Sequence, residues 1–355
     1  MVISEVARHP KDKDFVETQE GLLFTVVGYL HPPDADTTYL KYRPDPEGKW
    51  ERQGVHYRRM IQVYSAAEVQ LSSNWLRENH PEYISLDRVR GFELALVPWK
   101  SIIAYYLPEV RMAEIMRDPQ DPLESRTRAL VKLLSEASDV PESRFGITGS
   151  LLLGIHNPMF SDIDLLIYGR ENTHQVRDAM DGLFGENKVK PFSHDEILSW
   201  KHRQVQTLGI PAKYVEHIAW SYWQRGRFNN TDFSISPVRL DAEIMEDYGS
   251  EIFSAIGPVE FTATIEEDEG NLFVPVRYLV GDISLEEGDV EFPALTEVIS
   301  YEGIFAGVFH KGDRIHVRGT AEAVRDTDGN IMRNQVVVGS MTTQGWIIRL
   351  PPSSD

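Results

Sequence analysis

Asp162 and Asp164 flank Ile163 at the head of the run Ile163-Asp164-Leu165-Leu166-Ile167, which otherwise reads as a buried strand. The two-residue period of a strand places both carboxylates on one face. Two carboxylates on one face repel each other unless a divalent cation accepts both, so the pair reads as a metal site. The alternative is an ion-pair site served by an Arg or Lys from elsewhere in the chain. Asp-x-Asp spacing alone carries little, because it recurs at Asp12/Asp14, Asp34/Asp36 and Asp326/Asp328. Polar or turn surroundings at those three pairs predict solvated surface.

The complementary half lies twelve residues earlier, in the turn Gly149-Ser150. Glycine lets a phosphate approach the backbone. The serine hydroxyl and the N–H groups of a short helix starting at Leu151 supply donors for phosphate oxygens. A metal on the carboxylates and phosphates at the helix start together describe a nucleoside triphosphate with magnesium. Arg225 and Arg227, just before the next strand, are candidate phosphate or acceptor contacts. Lys201, His202 and Arg203 form a second basic group, with Lys201 and His202 read as solvated helix charges.

The elements that must position these groups follow from local pattern. "DPLESRTRALVKLLSEASDV" starts a helix at Asp121 or Pro122, with Leu130, Val131, Leu133 and Leu134 as its apolar stripe. "RFGITGS" is a short strand and turn, "LLLGI" a helix of one to two turns, "DIDLLIYG" a strand. Residues 176–225 read as helical, with Trp200, Val205, Leu208, Tyr214, Ile218 and Trp223 as packing residues. "DFSISPVRL" is a third strand. These make a central domain over 119–245. Before it, residues 1–118 read as an α+β module whose "YLKYRP" and "HYRRM" interleave aromatic and basic residues, as single-strand RNA surfaces do. Aromatics in strands are more often core, and that reading is preferred. After it, residues 246–355 break into short strands with "RDTDGN" as a hairpin turn, predicting a small OB-like β-barrel.

Composition bounds the class. The 355 residues exceed one ordinary core and predict several domains, here three. A net charge of -19 argues against nucleic-acid binding through the overall field, though not through a local patch. No apolar run suits a membrane span or secretory signal, so a cytoplasmic location is expected. Cysteine is absent, so zinc would need His and carboxylates. His31, His80 and His156 neighbour prolines in loops, and no His-x-x-His spacing exists, so no zinc site is predicted.

At Thr148-Gly149-Ser150 and Ser161-Asp162-Ile163-Asp164-Leu165 the sequence resembles the DNA polymerase beta-like nucleotidyltransferase superfamily. The stretch looks most like an uncharacterised archaeal group of predicted nucleotidyltransferases, and the resemblance covers about a third of the chain. It implies a mixed sheet with helices, two Mg2+ ions and transfer of a nucleoside monophosphate from a triphosphate to a hydroxyl, with pyrophosphate released. Asp162 and Asp164 would be the metal-holding catalytic carboxylates, and Gly149 and Ser150 would hold the β- and γ-phosphates. RNA is the expected acceptor, a small molecule or protein the alternative. The superfamily's third carboxylate falls here on Ser234 in "FSISPV"; Asp232, two residues earlier on the same face, is the expected substitute and Asp241 the next choice. Without a third acid the chain would bind nucleotide or RNA without turnover.

Overall fold

The computed structural model describes residues 8–62, 65–218, 220–287, 295–339 and 345–351. Most of the C-terminal "PPSSD", expected to fray, lies outside the described residues. Five strands open the chain: β1 (Phe15–Thr18), β2 (Leu23–Val26), β3 (Ala35–Pro44), β4 (Trp50–Arg52) and β5 (Val55–Arg59). Then come α1 (Ala66–Asn79), β6 (Ile84–Asp87), β7 (Phe92–Pro98), β8 (Ile102–Tyr106), α2 (Pro108–Arg117) and α3 (Pro122–Ser138). The middle of the chain gives β9 (Phe145–Ile147), α4 (Gly149–Leu153), β10 (Ile163–Tyr168), α5 (Arg170–Gly185), α6 (His194–Leu208), β11 (Arg225–Phe228) and β12 (Thr231–Val238). The last third is β13 (Ile252–Glu267), β14 (Val276–Glu287), β15 (Leu295–Ser300), β16 (Arg314–Arg325), β17 (Ile331–Val338) and β18 (Trp346–Arg349). The fold is mixed α/β with three sheets.

Local chemistry explains the boundaries that matter. Asp121 caps α3, its side chain accepting from Leu123 N and Glu124 N, with Pro122 at the first helical position. Ser193 and Glu196 form a capping box on α6. Asp326 turns the β16–β17 hairpin by accepting from Asp328 N and Asn330 N.

The chain divides into two compact units, each drawing on more than one of the three segments expected from the sequence. The first holds Met1–Met60, Leu96–Phe192 and Tyr222–Met245; the second holds Ile61–Ala95, Ser193–Ser221 and Glu246–Asp355. Within the first unit, one sheet includes the path β4-β5-β3-β2-β1-β8 and another has the order β11-β12-β10-β9. Phe15, Leu23, Tyr42 and Tyr57 of the N-terminal strands share one core with Leu152, Leu153 and Ile155, just after the Gly-Ser turn. Tyr39, Tyr42 and Tyr57 are buried, as the core reading of the aromatic segments expects.

In the second unit, β13-β14-β15-β17-β16 close into a ring through the β13–β16 pairing, and β18 adds to β16. Leu208, Ile210 and Ile218 belong to the ring's core, and Trp200, Val205 and Tyr214 pack against it. Strand β15 was absent from the sequence reading, yet its parallel pairing with β17 completes the ring. Its apolar run is interrupted by Glu297, a buried acid met by Arg277 and Arg333.

Two expectations of solvated surface are corrected. Asp12, Asp14 and Asp36 are buried. Arg8 meets Asp14 with both terminal nitrogens, at 2.7 and 2.9 Å, and Lys11 N donates to the same carboxylate. Asp12 accepts from Gly28 N, and Asp36 from Trp99 Nε1 and Tyr105 Oη. Each acid is inside because donors replace its water, near in sequence for Asp14 and distant for Asp12 and Asp36.

Candidate nucleotide and metal site

Strand β10 is central in its four-stranded sheet, parallel to β12 and antiparallel to β9. Ile163, Leu165 and Ile167 are fully buried, as are Phe233 and Ile235 beside them on β12, and this apolar side fixes the strand's orientation. The alternate positions, Asp164 on β10 with Asp232 and Ser234 on β12, therefore take the other face. Asp162 precedes the first strand residue and is exposed.

Asp164 is held at several points. Its carbonyl accepts from Thr148 N at 2.9 Å, tying the strand to the turn, and Thr148 Oγ1 donates to the Lys13 carbonyl at 3.0 Å. Its carboxylate accepts from Ser234 Oγ at 2.6 Å through Oδ1. Its Oδ2 faces Gly149, where a Cβ would come within 2.6 Å of it. Gly149 also has φ +67, a left-handed value that side chains resist. Glycine is required there by conformation and by space together. Ser150 follows in the first turn of α4 and is buried.

The electrostatics are those of an acidic pair under tension. The charge of Asp164 and then lost hydration push the Asp162 carboxyl up to about 6. Lys41 of β3 and Arg59 of β5 pull it back without cancelling the rise. These two cations sit inside the "YLKYRP" and "HYRRM" segments, and sequence reasoning did not connect them to the aspartates. Their only local signal was basic residues placed among core aromatics.

The remaining sequence candidates are placed as follows. Ser234 stands in register with Asp164, so a serine occupies the adjoining position where the resemblance expects an acid. Asp232 and Arg227, named separately from the sequence, pair with each other across the β11–β12 hairpin at 2.7 Å. The Asp232 side chain is 50% exposed. Among the described residues, no cluster within metal-ligand reach joins Asp232 to Asp162 and Asp164. Arg225 is exposed at the start of β11, opposite Ser234. Asp241 forms an ion pair with Lys11 at 2.9 Å. Lys201, His202 and Arg203 lie on α6, in the second unit.

Two groups of acidic and histidine side chains could hold a metal ion among the described residues: Asp121, Glu124 and His156, and Glu260, Glu286 and His316. Sequence reading missed both because each joins side chains far apart along the chain, His156 to Asp121 and Glu124 in the first and Glu260, Glu286 and His316 in the second. The first is already committed within the protein. Asp121 caps α3 and takes His156 Nε2 at 2.6 Å, while Glu124 takes Arg111 and Gln120 N.

No helix among the described residues is long and apolar enough to cross a membrane. No family model matches the chain. No solved structure matches it either. The chain is similar to a protein of Methanocaldococcus jannaschii described as uncharacterized, at 29% identity over 336 residues, covering 92% of this chain and 95% of that protein.

Proposed function

We propose that this chain is a metal-dependent nucleotidyltransferase that moves a nucleoside monophosphate from a triphosphate to a hydroxyl, releasing pyrophosphate. The observation that carries the reading is the acidic pair itself. Asp162 remains raised to about 6 despite Lys41 and Arg59, while Asp164 presses against a glycine turn that opens a helix. A pair whose repulsion outweighs its local cations is suited to a further, divalent charge.

Asp162 and Asp164 would hold Mg2+, and the donor set of hard carboxylate oxygens fits that ion. Bound there, magnesium would supply neutralisation of phosphate charge and a lowered pKa for the attacking hydroxyl. Gly149 leaves room for a phosphate against the backbone, and Ser150 offers a hydroxyl beside it. Ser234 orients Asp164 through its 2.6 Å bond and so fixes the direction of the remaining lone pairs. Lys41 and Arg59 add positive charge at the same end of the strand. We read the closed five-strand ring as the OB-like module expected from the sequence, and RNA as the acceptor class it suits. That last step is an analogy of architecture.

A second reading is favoured by one specific observation: Ser234 fills the place of the third acid, and Asp232 is engaged by Arg227. The chain would then bind nucleotide without turning it over. Labelled nucleoside triphosphates with Mg2+ and RNA separate the two. Incorporation lost in Asp162→Asn supports the transferase. Incorporation cut at least about 100-fold in Asp232→Asn, with triphosphate affinity retained, would make Asp232 the acceptor-side acid. Triphosphate binding without incorporation under any acceptor rejects the transferase and leaves the binder.

A further inference from the structure

We propose that Glu260, Glu286 and His316 form a zinc-class divalent metal site on the five-strand ring, separate from the aspartate pair. The three residues come from three strands, with β13 in the middle and paired to both β14 and β16. Their ligand atoms all lie within 4.8 Å of one another.

Strand geometry accounts for their meeting. His316 pairs with Thr262, two residues from Glu260, so the two side chains share a sheet face. Phe261 pairs with Leu285 and Thr262 with Ser284, and that register continued would set Glu286 opposite Glu260 on the same face. At that point the register shifts, Glu260 pairing with Glu287, and Glu286 is the extra residue of a β-bulge. Glu286 thus lies beside Glu260 and His316, its Oε2 3.3 Å from His316 Nε2.

The histidine is the second, independent observation. His316 is 5% exposed, and its Nε2 has no hydrogen-bond partner. That nitrogen nonetheless lies 2.8 Å from Glu260 Oε1 and 3.3 Å from Glu286 Oε2. Ligand bonds of zinc length in a tetrahedral arrangement set neighbouring donor atoms roughly 3.3 Å apart. The observed spacings are close to that value, with one slightly compressed. The edges of Tyr214 and Trp346 stand against the imidazole with ring centroids 6.0 and 6.5 Å away, holding its orientation. Arg318 approaches the other oxygen of Glu260, Oε2, at 3.6 Å and leaves Oε1 facing the histidine.

One imidazole nitrogen and two carboxylate oxygens are borderline-to-hard donors of the kind zinc accepts. Three protein ligands leave a fourth position. The Glu286 side chain is 49% exposed, so this position opens to solvent and suits a water or an exchangeable ligand.

Co2+ is the probe, since it takes zinc sites and reports its coordination by visible absorption. The full chain carrying Asp162→Asn, freed of metal by a chelator, is titrated with Co2+, and Zn2+ is then added in competition. One Co2+ per chain, with the absorption of a four- or five-coordinate ion and displacement by Zn2+, is expected. Glu286→Gln and His316→Gln in the same background should each weaken binding by at least about tenfold, the loss that even an outer-shell change produces. Circular dichroism checks that both variants fold; Glu286 is exposed enough that its amide replacement should be neutral. No Co2+ uptake by the parent overturns the proposal. Uptake with an unchanged spectrum and affinity in Glu286→Gln overturns it too, and would send the ion elsewhere, the Asp121 cluster included.

Discussion

Replacing Asp162 by Asn removes one charge from a repelling pair, and the structure says what the fold should gain. In the folded chain its carboxyl is raised from 3.8 to about 6, first by Asp164 and then by lost hydration. A folded pKa above the unfolded one means that the folded state keeps the proton longer. The contribution to stability is present below the unfolded value and is lost as pH rises through about 6. For a fully buried group a rise of this size would amount to about 3 kcal/mol. Asp162 is exposed, and solvent screening reduces this to about 1 kcal/mol. Metal-free Asp162→Asn should therefore be more stable than the parent at neutral pH by about 1 kcal/mol, with the gain vanishing near pH 4. Urea denaturation at both pH values, with chelator present, measures it. Adding Mg2+ should reverse the order, because the parent gains about 2.7 kcal/mol at a hundredfold excess over Kd and the variant does not. A metal-free variant that is less stable by 1 kcal/mol or more would refute the reasoning. It would mean that Lys41 and Arg59 hold Asp162 as a structural ion pair and that no divalent charge is wanted there.

Three other outcomes are expected. Gly149→Ala should destabilise by about 1–2 kcal/mol from its left-handed φ alone, and should weaken Mg2+-triphosphate binding by displacing Asp164 Oδ2; calorimetry on both quantities checks this. Ser234→Ala deletes the donor to Asp164 and should cost about 1 kcal/mol in urea denaturation, with circular dichroism unchanged. Burial pushes the Glu302 carboxyl up to about 7, offset in part by the Ala66 N–H, so its contribution to stability is lost as pH rises from 4.5 through about 7. Glu302→Gln should thus raise stability above neutrality by about 2–3 kcal/mol and leave it unchanged in mild acid, and equal stabilities at both pH values would count against it.

Local pattern alone determined the cap and first turn of α3 at Asp121-Pro122, a short helix at the Gly149-Ser150 turn (begun at Gly149 rather than at the expected Leu151), strand β10 with Asp164 in it and Asp162 just before it, and the Asp326 hairpin. These depend on hydrogen bonds within a few residues and on side-chain period, both written along the chain. Their apposition had a local source as well, since a twelve-residue spacer returns the turn to its strand. Tertiary structure decided what covers each charge. It brought Lys41 and Arg59 to Asp162, buried Asp12 and Asp36 among distant donors, and set Ser234 in register with Asp164. It paired Asp232 with Arg227, and made a strand of β15 by giving Glu297 two arginines. It also gathered Glu260, Glu286 and His316 from three neighbouring strands. Desolvation and charge pairing act through space, over distances unrelated to separation along the chain. A carboxylate reads the same in sequence whether water, an arginine or a metal meets it.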